Sequence, residues 1–233
     1  MECGDYFWYI YCGHFSFMLK PKRAVKSVPI VFRTDKIDES KLRLIEKLEN
    51  IIAQVNWPYK HNTEALLARD HALVALLFLA GLRISEALEL KKIQFEIFED
   101  QIYLANVQPL KHGELRKEII LPLIGPMAKL SRIVRDWLEV VPDKDCYVFA
   151  SATPNGTLHW HEHLKRRRPY WILKTTVDLF PHWLRGCCET YYGKGIFKSD
   201  AWKLKEFMGL KSLGSTSDYV SGTWEENKPD LFK

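Results

Sequence analysis

ALVALLFLAGLRISEALEL (Ala72–Leu90) reads as core along almost its whole length, yet Arg83 and Glu86 interrupt it. Arginine is seldom buried unless something pairs with it. The stretch therefore predicts a central helix with a polar pair at its end. The helix runs from about Glu64 to Ala80, and its apolar residues go nearly all the way round, as in an element enclosed by others. Gly81 suits the left-handed position that closes a helix. A short helix then starts near Ser85, with Glu86 in its first turn. Arg83 lies between one helix end and the next helix's N-terminus, where free N–H groups favour an anion. An internal ion pair with Glu86 is the plainer reading of the same two residues.

Upstream, DESKLRLIEKLENIIAQV predicts another helix, with Leu42, Ile45, Leu48, Ile52 and Val55 on one face. NWPYKHN (Asn56–Asn62) breaks it. Lys20–Asp35 is basic and contains proline, the composition of an arm. Residues 1–19 are aromatic and lack the cationic start of a secretory signal; Met18 is an alternative start. Downstream the period changes. Ile97, Ile102, Leu104 and Ile119–Leu121 predict two or three short antiparallel strands, separated by ED and KHGE turns. GPMAKLSRIVRDWLEVV returns to helix, and CYVFASATPNGT gives a strand and turn. LHWHEHLKRRRPYWILKTT reads as a basic helix around Pro169. PHWLRGCCETYYGKG and AWKLKEFMGLKSL read as two further helices. The expected class is mainly α with a small antiparallel β-sheet. One convincing helix lies within residues 1–57, too little for an independent helical domain. The expected division is thus an arm over 1–57 and the main domain over 58–233.

The chain has 233 residues, 47% of them hydrophobic, and a net charge of +5. That composition excludes a disordered protein and permits a polyanionic partner without requiring one. The five cysteines, with Cys187 and Cys188 adjacent, show no bridge-like spacing and suit a reducing, intracellular setting. No apolar run reaches the roughly 20 residues of a membrane span, so no membrane partner is expected.

His182 and Arg185 in HWLR share a helix face. Together with Arg83 they make a set suited to phosphate, which arginine grips through paired, charge-assisted bonds. GLRISEAL, a lysine in a β-turn, PHWLR, then FMGLKS with a tyrosine beyond it, follow one another in this order. The pattern resembles the tyrosine recombinase (integrase) family over roughly residues 60–225. The resemblance implies that family's catalytic-domain fold and its chemistry. Tyr219 is then the nucleophile that cleaves a DNA strand, forming a 3′-phosphotyrosyl link without metal or nucleotide cofactor. A free tyrosine has a pKa of about 10, so the site has to remove its proton. It also implies that Arg83 and Arg185 stabilise phosphoryl charge, that His182 exchanges a proton or binds the phosphate, and that Glu86 orients Arg83. The resemblance assigns Lys111 in the β-turn to protonate the leaving 5′-oxygen, with Lys117 as the alternative. The family usually has His or Trp where this chain has Leu210; Lys211 next to it is a substitute donor. Lys165, Arg166, Arg167 and Arg168 are expected along DNA phosphates. The implied partners are double-stranded DNA and further copies of the chain, as a dimer or tetramer on DNA.

Other readings stay open. A catalytically impaired relative would hold DNA without attaching to it. His159, His161 and His163, if on a strand, would share a face and suit zinc, giving a zinc-dependent hydrolase. Cys187 and Cys188 are poor nucleophiles in a buried setting, and Tyr191 and Tyr192 read as packing aromatics.

Overall fold

The computed structural model describes residues 37–108, 116–197 and 200–210. Helices dominate, and two small antiparallel sheets accompany them. Helix α1 (Ile37–Gln54) buries Ile45, Leu48, Ile51 and Ile52, and Val55 follows just beyond it. These include the face expected from sequence, apart from Leu42, whose side chain lies outside the described residues. Helix α2 (Thr63–Leu79) is buried without a break from Ala72 to Leu79. Its apolar circumference is covered because α1, α4 (Ala128–Val140) and α6 (Pro181–Thr190) all pack on it. The strongly amphipathic α4 contributes Leu130, Val134, Trp137 and Leu138. The Trp137 indole N–H, buried here, donates to the Val148 carbonyl at 2.7 Å, so its polar edge is satisfied.

Strands β1 (Phe95–Ile97), β2 (Gln101–Val107) and β3 (Arg116–Pro122) form a meander, with Ile102 opposite Leu121 and Leu104 opposite Ile119. Those four side chains are buried, while Ile120 on the other face is half exposed, which is the alternation of a one-sided sheet. The KHGE turn and Lys111 lie outside the described residues.

One expectation is corrected beyond this sheet. LHWHEH is not the start of a helix. Leu158–His163 forms β5, paired with β4 (Ala150–Ala152) across a bulge. Helix α5 begins only at Arg167 and runs to Val177, with Pro169 in its first turn, where its missing N–H costs nothing. Helix α6 opens on Pro181, a favoured first position, and continues into a π-helical stretch, Tyr191–Ile196. Helix α7 (Ala201–Met208) is capped by the Asp200 carboxylate, which accepts from the backbone of Trp202 and Lys203. Tyr191 and Tyr192 are buried packing aromatics, as their surroundings in sequence imply.

Among the described residues no helix is long and apolar enough to cross a membrane.

Candidate active site

Three helices meet around one turn of the chain. Helix α2 stops at Leu79, and Gly81 turns the backbone with φ +56°. A Cβ at Gly81 would stand 2.8 Å from Cys188 Sγ on α6 and from Met208 Sδ at the end of α7. Glycine therefore lets α2, α6 and α7 approach here. The cation that crosses this junction is Arg185.

Arg185 projects from α6 and is 3% exposed. It donates from Nη1 to the Gly81 carbonyl and from Nη2 to the Met208 carbonyl at 3.2 Å. Its Nε lies 3.2 Å from Glu189 Oε1, one turn along the same helix. A guanidinium has five N–H donors and these contacts use three, so donors remain for the cleft that Arg185 lines. Burial lowers its proton affinity, Glu189 raises it, and Arg83 lowers it again. The last effect places the two guanidinium groups within electrostatic reach of each other.

Arg83 sits at the N-terminal boundary of α3 (Ile84–Leu88) with an extended backbone. The Glu86 carboxylate accepts from the Arg83 backbone N–H at 2.8 Å and from its Nη1 at 2.9 Å. One buried carboxylate thus caps the helix and fixes the arginine. The Arg83 side chain is 37% exposed against 4% for Glu86, so the cation faces outward and the anion inward. The ion-pair reading and the anion-site reading of this pair are compatible, because the paired arginine still lines open space.

Arg83, Glu86, His182 and Arg185 line one cleft of about 340 Å³. His182 is exposed in the first turn of α6, where helix N–H groups add positive potential. Arg166 and Tyr170 also line it. Of the four basic residues expected along DNA, Lys165, Arg166 and Arg167 are exposed. Arg168 turns away and stacks on Trp57 at 4.4 Å and on Tyr59 at 5.3 Å. Tyr59 in turn donates to Asp70 at 2.5 Å and accepts from Arg69. Tyr170 carries no signal in the sequence, where it reads as an ordinary helix aromatic.

Leu210 is buried just after Gly209, and its N–H donates to the Lys205 carbonyl at 3.0 Å. It offers no side-chain donor. Lys111, Lys211 and Tyr219 lie outside the described residues, as does the side chain of Lys117. The three histidines of β5 do not converge. His159 approaches Glu162 at 3.8 Å, and His163 approaches Glu89 at 3.4 Å and packs on Tyr147. Among the described residues no three His, Cys, Asp or Glu side chains are grouped to hold a metal. The alternative zinc reading therefore has no support in this geometry. Cys187 is buried, and burial pushes its thiol up to about 12, unfit for a nucleophile.

The sequence model described as the phage integrase family matches residues 46–225. The tyrosine recombinase XerC of Shewanella sp. (strain W3-18-1) is 28% identical over 166 residues, covering 68% of this chain and 50% of that protein. The tyrosine recombinase XerC of Rickettsia prowazekii (strain Madrid E) is 27% identical over 216 residues, covering 89% of this chain and 61% of that protein. This chain thus spans about half to three fifths of the length of these relatives. Among solved structures, the XerH site-specific recombinase in its post-cleavage complex with palindromic difH substrate matches with a TM-score of 0.57 at 18% identity, over 81% of this chain and 52% of that one. The XerA recombinase matches with a TM-score of 0.52 at 18% identity, over 82% and 64%. These two likenesses establish the fold.

Proposed function

The chain belongs to the phage integrase family of tyrosine recombinases, and on that premise we propose that it cleaves and rejoins DNA strands at specific sites, using Tyr219 as nucleophile. The Tyr219 oxygen attacks the phosphorus and gives up its proton, with His182 as acceptor. The bond from phosphorus to the 5′-oxygen breaks, and Lys111, or Lys117 in its place, supplies the proton to that oxygen. The phosphate remains esterified to the tyrosine and to the 3′-end. Attack by a 5′-hydroxyl on this link reverses the step on the same strand or a new one. Every bond broken is matched by one formed, so the reaction needs no external energy source.

The observation that carries this reading is the shared cleft. Arg83 comes from a part of the sequence about a hundred residues before His182 and Arg185, which share one helix, and the three line one space. Arginines fixed beforehand at a phosphate act as an oxyanion hole does. Leu210 leaves the site without the ring donor common in the family, at a cost on the order of 1–3 kcal/mol. That residue is also the observation favouring a second reading, a relative that binds DNA without cleaving it. Exposed Lys165, Arg166 and Arg167 extend the surface for double-stranded DNA, and assembly of two or four copies on DNA supplies the remaining grip. Buried free cysteines fit an intracellular, DNA-associated setting.

The target sequence is found by the test itself. A library of nicked duplexes with randomised arms is incubated with the protein, and complexes that survive detergent are recovered. The wild type is expected to yield such complexes and Tyr219→Phe none. DNA binding by the wild type without any detergent-stable complex would favour the binding-only reading.

A further inference from the structure

Among the described residues Arg185 is one of the most enclosed cations, at 3% exposed. A guanidinium that has lost its hydration persists only beside acceptors and a counter-charge. The carbonyls of Gly81 and Met208 are acceptors without net charge. The counter-charge is Glu189, whose Oε1 lies 3.2 Å from Arg185 Nε and whose side chain is 8% exposed. A glutamate so buried requires a partner of its own, and Arg185 provides it. Glu189 does not line the cleft, so it acts on a phosphate only through the arginine.

The three contacts divide the guanidinium. Glu189 takes Nε, while the two carbonyls take one donor from each Nη. The remaining donors sit on the Nη atoms, the end away from the side-chain stem. Arg83 across the cleft disfavours the charge on Arg185, and Glu189 favours it. Without Glu189, the two arginines would share Glu86 as their carboxylate in this cleft. Arg83 draws on solvent as well as Glu86; Arg185 does not.

Resting on the strand-cleavage reading above, we propose that Glu189 is a positioning residue for that reaction: by pairing with Nε it holds the buried Arg185 guanidinium in the orientation that presents its Nη donors to the phosphate.

The test measures single-turnover cleavage of a nicked duplex recovered from the library, at saturating protein, beside DNA affinity and thermal melting. Glu189→Gln is expected to slow cleavage about 10- to 100-fold with DNA affinity little changed. The double variant Arg185→Ala with Glu189→Gln is expected to be no slower than Arg185→Ala alone, since the second change removes an effect already lost. Wild-type cleavage by Glu189→Gln at saturation overturns the proposal, and so do losses that multiply in full in the double variant. Should Glu189→Gln fail to fold, Glu189→Asp keeps the charge and shortens its reach, and the same two outcomes decide. Absence of cleavage by the wild type overturns the strand-cleavage reading and this role with it, whereas a cleaving wild type matched by its Glu189 variants overturns this role alone.

Discussion

Arg83 and Arg185 meet the same requirement in different surroundings. Each has a carboxylate a turn further along the chain, at i+3 for Glu86 and at i+4 for Glu189. Arg83 remains partly in water, while Arg185 is enclosed. Replacing either by alanine is expected to slow strand cleavage about 10²- to 10³-fold, the usual cost of one oxyanion-hole donor. Their effects on folding differ. Arg185→Ala leaves Glu189 buried without its cation and costs about 3–5 kcal/mol; Arg83→Ala costs far less because Glu86 keeps its bond to the backbone. Urea unfolding of both variants beside the cleavage rates checks this. Equal stability losses would contradict the difference in enclosure. The sequence exposed the first of these pairs, because Arg83 and Glu86 stand out in an apolar run. The second was harder to see: Glu189 sits between cysteines and tyrosines that read as packing residues, and only its i+4 spacing from Arg185 points to the pair.

At the scale of elements, the meeting of α2, α6 and α7 depends on Gly81. Gly81→Ala forces a Cβ into space 2.8 Å from Cys188 and Met208, at a φ that side chains avoid. The expected loss is about 2–4 kcal/mol from strain and overpacking, measured as a lower urea midpoint. A near-neutral variant would show that the junction is loose. The helices were legible because their apolar periods are long and their ends carry glycine or proline. The histidine stretch was not. His159 to His163 has the alternation of a strand, but the run of basic residues after it has the composition of a helix start, and only pairing with β4 decides between them. The stacking of Arg168 on Trp57 and Tyr59 joins segments far apart in the chain, beyond the reach of any local pattern.

For the whole molecule, several buried acids stay protonated on folding. Burial raises the Cys187 thiol from 9.0 to about 12 and, with Asp70 adding to the effect, the Tyr59 phenol from 10.0 to about 12. The folded state therefore holds protons that the unfolded chain releases. Their contribution to stability is full below about pH 9 and falls as pH rises towards 12. Melting temperatures between about pH 8 and 11 are expected to decline steadily above about pH 9, and Cys187→Ala is expected to flatten the first part of that decline. A constant melting temperature across this range would contradict the burial of these groups.

Under the proposed function the cleft delivers a DNA phosphate to Tyr219. The most direct test digests the detergent-stable protein–DNA complex and locates the modified peptide by mass spectrometry. A nucleotide phosphate on Tyr219 is expected. A nucleotide on any other residue, or none on the protein, would contradict it.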